Sequence, residues 1–433
     1  MSKLLVTLLF LIPLSAFAQQ CTSPQVTGTD EGATINRAIA ACPNGCAIQI
    51  PAGTYTITTP IVVTNPNIKL VGAGQGSTVL LQNFQVATDF ICVNANGLDL
   101  SGFTINGNNA VTGGNLLHVY TAGQAKIHDN FFTDPRTPGY TTTNGIKLNG
   151  VRIEGTATSA ANFNQVTNNY FNVPTIAVTL STNANSNNIQ ANQFMNGYTA
   201  FDFNGDTGNS NGNSFSNNIV TGGSGENFLQ GVTGSIINGN QFLGNGAAGN
   251  YTIDVTLAGG TQQALTIISN NTFLNAQSSA IRLSNNVRDA IIANNLFEGN
   301  GGDGIFVENG AGAVTNLSIQ SNIFKDNGAL NGASGFSAIR VNTSSGVPVG
   351  DWMISNNTAY DDQASPTQTY GLYIFGAGSA FDLTILGNDF ARNKTAPFNF
   401  AVPISTSSIG PNRESTAGGW VYRGPTGAVT TAP

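Results

Sequence analysis

Apolar and polar residues alternate over short stretches along most of this chain, and the stretches repeat. The repeated phrase is an aliphatic residue, two spacers, Asn, one spacer and Phe: Ile127/Asn130/Phe132, Val166/Asn169/Phe171, Ile189/Asn192/Phe194, Ile237/Asn240/Phe242, Ile268/Asn271/Phe273, Ile292/Asn295/Phe297, Ile319/Asn322/Phe324 and Ile385/Asn388/Phe390. Ile354/Asn357 is a copy without the Phe, and Asn213/Phe215 keeps only the second half. A phrase recurring about every 20 to 40 residues marks a stacked array, because one such unit cannot bury its own apolar side and needs its neighbours. Alternating Ile, Val and Phe broken by Asn, Gly and Ser predicts short strands and turns. Strands that each stack on their copy in the next turn form a parallel β-helix. Asn suits its tight corners because it tolerates a left-handed backbone and its amide bonds the amides above and below.

A second phrase runs in antiphase: small, aliphatic, variable, aliphatic. Its copies are Gly145–Leu148, Ala177–Leu180, Ala200–Phe203, Thr252–Val255, Ala280–Leu283, Gly304–Val307, Ala338–Val341 and Gly371–Ile374, with Asn227–Leu229 a looser one. Strand alternation points the aliphatic residues inward and the variable ones outward. One outer sheet is therefore expected to carry a ladder of Lys147, Thr179, Asp202, Leu229, Asp254, Arg282, Phe306, Arg340 and Tyr373, with Asn149, Ser181, Asn204, Thr256, Ser284, Glu308, Asn342 and Phe375 one step further along the strands.

The ends read differently. Lys3, the apolar run Leu4–Leu14 and Ala16-Phe17-Ala18 predict a signal peptide over residues 1–18, hence an exported (extracellular or periplasmic) chain without a membrane anchor. Residues 19–50 read as an N-terminal cap around one amphipathic helix, opened by Thr29 or Asp30 and burying Ile35, Ala38, Ile39 and Cys42. The solenoid is expected over 51–395, and 396–433, rich in Pro, Ser, Thr and Gly, as a terminal cover and tail. Export permits disulfides among Cys21, Cys42, Cys46 and Cys92. Cys42 and Cys46 either close a short loop on themselves, or Cys21 ties the N-terminus to Cys42.

Composition narrows the partners. Charged residues make up 9% of the chain, so the polar surface is carried mainly by Asn, Ser, Thr and Gly. Without Lys3 the 15 basic residues become 14 against 22 acidic ones, a net charge of minus 8, which argues against nucleic acid.

The helix followed by "IPAGTYTI", "IKLVGAGQGSTVL" and the Asn-x-Phe repeats resembles the right-handed parallel β-helix superfamily of pectate lyases, polygalacturonases and phage tailspikes, over roughly residues 30 to 395. The resemblance implies an all-β, single-stranded right-handed solenoid, a monomer or a trimer, whose outer sheet holds a polysaccharide. As a lyase it implies a calcium ion held by Asp202 and Asp254, with Arg282 or Arg340 taking the proton beside a uronate carboxylate. As a hydrolase it implies two carboxylates serving as acid and base. Asp303 in "GGDGIFV" stands where the polygalacturonase branch keeps a catalytic acid.

The ladder's own spacing adds to this. Coils stack about 4.8 Å apart, so Asp202 and Asp254, two coils apart, would be separated by roughly 9.6 Å, near the upper end of the roughly 6.5–9.5 Å of an inverting glycosidase. Asp254 and Arg282, on adjacent coils, read either as catalytic groups or as an ion pair. Arg282 and Arg340 flank Phe306 and Glu308, an arrangement suited to pairing a sugar carboxylate and stacking on a sugar face, with Lys147 and Tyr373 at its ends. The rival expectation is a non-catalytic surface or glycan-binding protein. The loops 134–144, 246–252 and 361–370 decide between them by folding toward the ladder or away from it.

Overall fold

A computed structural model describes residues 19–21, 30–84, 89–109, 114–136, 149–205, 210–247, 249–256, 263–310, 312–329, 335–344, 346–413 and 429–431. The leader expected over residues 1–18 lies outside the described residues, as does Lys147. The chain falls into two compact units, residues 1–202 with 207–214, and residues 203–206 with 215–433. Each is a parallel solenoid in which every coil gives one short strand to each of three sheets. The fold is a right-handed parallel β-helix.

The first phrase spans sheets 1 and 2. Its aliphatic residue points inward from sheet 1, as Ile268, Ile292 and Ile319 do in register. Its Phe points inward from sheet 2, where Phe242, Phe273, Phe297 and Phe324 stack nearly parallel with centroids 4.8 to 5.0 Å apart. In the first unit Phe132, Phe171 and Phe194 form the same file. The interior is thus filled by like residues in columns, each side chain packing on its own copy.

The Asn stands at the corner between the two sheets, and of its two expected roles the left-handed backbone falls to its neighbour. The left-handed residue is the one before it, for example Asn270 (φ 57°), Asn294 (φ 58°) and Ser321 (φ 54°). The recurring Asn is buried and, as expected, its amide is bonded lengthwise to its copies. The backbone N–H and Nδ2 of Asn271 both donate to Oδ1 of Asn295 (2.9 and 3.0 Å). Asn295 repeats this toward Asn322, Asn322 toward Asn357, Asn357 toward Asn388 and Asn388 toward Asn412. The ladder and the strands Ile404–Ser405 and Ser407–Ile409 carry the second unit's coils past residue 395.

Two further polar files went unread in the sequence: Asn164–Asn187–Asn213 in the first unit and Asn300–Asn327–Gln368 in the second. The first explains the incomplete copy at Asn213/Phe215. Its strand Ser214–Ser216 lies in sheet 1, and Val220 takes the sheet 2 position opposite Phe242.

Among the described residues one helix occurs, Glu31–Ala40, with Asp30 accepting from the backbone N–H of Ala33 at 3.1 Å and Gly32, Ile35 and Ile39 buried. Beside it the disulfide joins Cys42 to Cys46, so the short loop closes on itself, while Cys92 is a free thiol that burial pushes up to about 11. Closing so short a loop is worth about 2 kcal/mol in unfolded-chain entropy. A Cys42→Ser/Cys46→Ser variant is expected to lose about that much, read by hydrogen exchange as faster opening of the helix and the strand Cys46–Ile50, with the Phe columns unaffected.

Candidate active surface

Sheet 3 carries the outward ladder, and the strand register sets its members. In the second unit the row is Phe228, Asp254, Arg282, Phe306, Arg340 and Tyr373, followed by Asn399. The parallel row is Gln230, Thr256, Ser284, Glu308, Asn342 and Phe375. Leu229 is buried and inward; Phe228 has its place. In the first unit the residue in register with Thr179 is Arg152, because the strand is Asn149–Glu154 and the second phrase is completed there by Gly150-Val151-Arg152-Ile153. Asn149 and Asn115 are partners in register, which takes Asn149 out of the row of Ser181.

Asp254 and Arg282 form a bidentate pair. Nε and Nη2 of Arg282 donate to the two carboxylate oxygens at 2.9 and 2.5 Å, and the Asp254 side chain is 2% exposed. Nη1 of Arg282 reaches Glu308 at 3.4 Å, and the ring of Tyr251 lies 4.5 Å from the guanidinium. Burial by itself would lower the Arg282 pKa, but the bonds and charge of Asp254 outweigh it and raise it. The hydroxyl of Tyr251 is raised, chiefly by burial, and so is the Glu226 carboxyl, which accepts from the Tyr251 backbone N–H at 3.2 Å.

Asp303 and Arg340 form a second pair. Asp303 is fully buried, accepts from Nε of Arg340 at 2.8 Å and from the Ser337 backbone N–H at 2.8 Å, and contacts Ser279. Desolvation pushes it up to about 6 despite the Arg340 charge and these bonds. The Arg340 guanidinium lies 4.4 Å from the Phe306 ring, 5.1 Å from Phe336 and 5.8 Å from Phe375. Its two terminal amino groups make no hydrogen bond with the described residues, so a side chain locked at Nε and packed among aromatic rings presents an open fork.

These contacts correct three expectations. Phe306 is 7% exposed, covered by Arg340 and Tyr251, so it supports the guanidinium instead of stacking on a sugar. Asp254 and Asp303 are sealed by Arg282 and Arg340, which closes them to a substrate. Of the pair expected to hold calcium, an ion that takes six to eight oxygen ligands, Asp254 has both oxygens taken up by Arg282. Among the described residues no three His, Cys, Asp or Glu side chains gather as a metal site.

Glu308 and Tyr373 remain accessible. The Glu308 side chain is 41% exposed, and Tyr373 is half-buried between Tyr370 and Phe375, 4.9 and 4.8 Å away. The loops bear on this surface. Residues 249–252 bring Tyr251 over Arg282, and residues 361–370, tied by Asp361 accepting from the backbone N–H groups of Thr367 and Gln368, bring Tyr370 beside Tyr373. Much of the third loop lies outside the described residues. Tyr251 and Phe336 went unread in the sequence because both sit just before their strands.

Residues 260–349 match the family model described as right handed beta helix region. No curated protein matches the sequence. Among solved structures, the mannuronan C-5 epimerase AlgE6 A-module of Azotobacter vinelandii is similar at 16% identity and a TM-score of 0.55, over 94% of this chain and 96% of that one. The catalytic unit of a GH87 alpha-1,3-glucanase from Streptomyces thermodiastaticus is similar at 16% identity and 0.54, over 86% and 70%. A DFA-IIIase from Arthrobacter chlorophenolicus in complex with DFA-III follows at 13% and 0.52, over 82% and 90%. At such identities the likeness shows the fold alone. No helix among the described residues is long and apolar enough to cross a membrane.

Proposed function

We propose that the protein is exported and acts on a polysaccharide containing uronic acid, cleaving it by β-elimination on the sheet 3 surface of the second unit. The observation that carries this reading is the open fork of Arg340, held from behind by a buried carboxylate and surrounded by three aromatic rings. A carboxylate pairs such a fork bidentately, and the surrounding rings exclude water from the pair. The carbohydrate-acting neighbours of the same fold, among them an epimerase of mannuronan, support the substrate class. The disulfide and the leader-like start of the chain are compatible with export.

Each step has a residue in this arrangement. Arg340 neutralises the uronate carboxylate and so acidifies the C5 proton. Glu308, the accessible carboxylate, takes that proton, and the electron pair becomes the C4–C5 double bond. The C4–O bond breaks with its pair going to oxygen, which receives the hydroxyl proton of Tyr251; the proton on Glu308 then restores the phenol. Burial keeps Tyr251 protonated until that moment. Hydrolysis is less well served, because it needs two reachable carboxyls and Asp254 and Asp303 are both occupied.

The same occupancy favours a second reading, glycan binding without cleavage. Incubation with acidic and neutral polysaccharides, followed by reducing ends and by ultraviolet absorbance of an unsaturated product, separates them. Elimination gives both signals, and Glu308→Gln should lower them roughly 100-fold or more. Reducing ends without absorbance would replace elimination by hydrolysis, and retention of acidic polysaccharide without either signal would leave binding alone.

A further inference from the structure

The first unit gathers a cluster of its own that the foregoing surface does not use. On its sheet 3, Cys92, His118, Arg152 and Thr179 follow one another in register, and Tyr120, Glu154 and Ser181 form the next row. Nδ1 of His118 lies 2.7 Å from Oδ2 of Asp89, and Nε2 lies 3.2 Å from Oε2 of Glu154. Arg152 donates to the other Glu154 oxygen at 2.8 Å, while its Nε is buried without a partner. The ring of Tyr120, 38% exposed, stands edge-on to His118 at 5.4 Å.

The cluster is oriented from below. Oδ1 of Asp89 accepts from the backbone N–H and Nδ2 of Asn115 at 3.0 and 2.6 Å. Asn115 in turn accepts from Asn149 at 2.7 Å, and Asn149 from Thr179 at 3.1 Å. This buried chain crosses several coils and fixes Asp89, which fixes the imidazole with Nδ1–H directed at it. Nε2 is left as the nitrogen that exchanges protons, facing Glu154 at ion-pair distance but outside hydrogen-bond alignment. A merely solvated ion pair needs no such support.

We propose that the first unit is a proton-transfer site for a saccharide, in which Glu154, backed by His118 and Asp89, exchanges a proton with a sugar hydroxyl lying against Tyr120 and Arg152. The polysaccharide reading supplies only the ligand class. In the transfer the O–H pair stays on the sugar oxygen and the proton goes to Glu154; a His118 ring that is neutral, with Nδ1–H on Asp89, takes it from there through the lone pair of Nε2, and the same path in reverse returns it to the sugar oxygen. The charged and titratable groups around the imidazole are Asp89, Glu154, Arg152, Cys92 and Tyr120. Burial alone would lower the His118 pKa, but the two carboxylates outweigh it and raise it, while the Glu154 carboxyl, which burial would raise, is held below its usual range by His118 and Arg152, so a proton reaching Glu154 is passed on to the imidazole.

The chain has two histidines, so a His128→Gln variant of the full protein leaves one imidazole for nitrogen NMR. The expected spectrum shows Nδ1 as a fixed donor and a titration midpoint that falls in Asp89→Asn and in Glu154→Gln. Addition of an oligogalacturonate, an oligomannuronate or a neutral gluco-oligosaccharide should move the His118 signals for at least one of the three, and Glu154→Gln should abolish the movement. Silence with all three, or movement unchanged in Glu154→Gln, overturns the proposal. Movement that survives Glu308→Gln, at an accessible position of the second unit, supports a site belonging to the first unit, and movement lost in that variant overturns it. If Glu308→Gln leaves cleavage intact, the earlier reading fails while movement at His118 still supports this one.

Discussion

Arg340→Ala is expected to destabilise the protein by roughly 3–5 kcal/mol at pH 8 and by much less at pH 5. Asp303 has no exposed surface, and Arg340 is its cationic partner, so truncation leaves a buried charge with only the Ser337 N–H and Ser279 hydroxyl beside it. The direction with pH follows from proton linkage. With Arg340 present the Asp303 pKa is already raised from 3.8 to about 6, so between those values the folded protein holds more protons than the unfolded chain, and stability falls as pH rises. This contribution is whole below the unfolded value and lost as pH passes the folded one. Removing the guanidinium carries the folded value higher and deepens the loss on the alkaline side. Denaturant titrations at the two pH values measure both effects. Adding Asp303→Asn should recover much of the stability at pH 8 by removing the stranded charge. A loss independent of pH would mean that Arg340 contributes through packing on Phe306, Phe336 and Phe375 alone.

The fold was legible because its determinants are local and repeated. Ile268, Asn271 and Phe273 each do one job, and the next coil repeats it, so periodicity revealed which residues face inward before any contact was known. Frame errors arose where the repeat was weak. Gly145–Leu148 imitates the second phrase as well as Gly150–Ile153 does, and only register with Thr179 separates them. The surface chemistry was legible in membership and not in state. Alternation placed Asp254, Arg282, Phe306, Glu308, Arg340 and Tyr373 on one face. It gave no account of which groups neutralise one another, because that depends on distances across coils. Asp303 paired with Arg340, and His118 set between Asp89 and Glu154, join residues 29 to 37 positions apart through geometry that pattern does not encode.

The polar corner files raise a different question, whether their rungs act singly or together, and Asn295→Ala answers it. Its Nδ2 donates to the Ile268 carbonyl at 2.9 Å and to Asn322 at 3.0 Å, and its Oδ1 accepts twice from Asn271. Alanine strands the backbone N–H of Asn271 and one of the two N–H bonds of its Nδ2, the other staying on the Ile237 carbonyl, and leaves the Ile268 carbonyl without its amide donor, all where water does not reach; at about 1–3 kcal/mol for each stranded group, the loss should be about 3–5 kcal/mol. Asn412 supplies the comparison. It is the rung that receives from Asn388 and hands its own amide to the Ile385 and Gly410 carbonyls, and it is 8% exposed. Partial access to water should hold the cost of Asn412→Ala to about 1–2 kcal/mol. If aligned amides polarise one another, the double variant Asn271→Ala/Asn322→Ala, whose two members share no hydrogen bond with each other, will lose less than the two single losses combined, since the first break has already weakened the file that the second one joins. Strict additivity in denaturant titration would show each rung to be an independent pair of bonds, and the repetition of Asn would then reflect corner geometry alone.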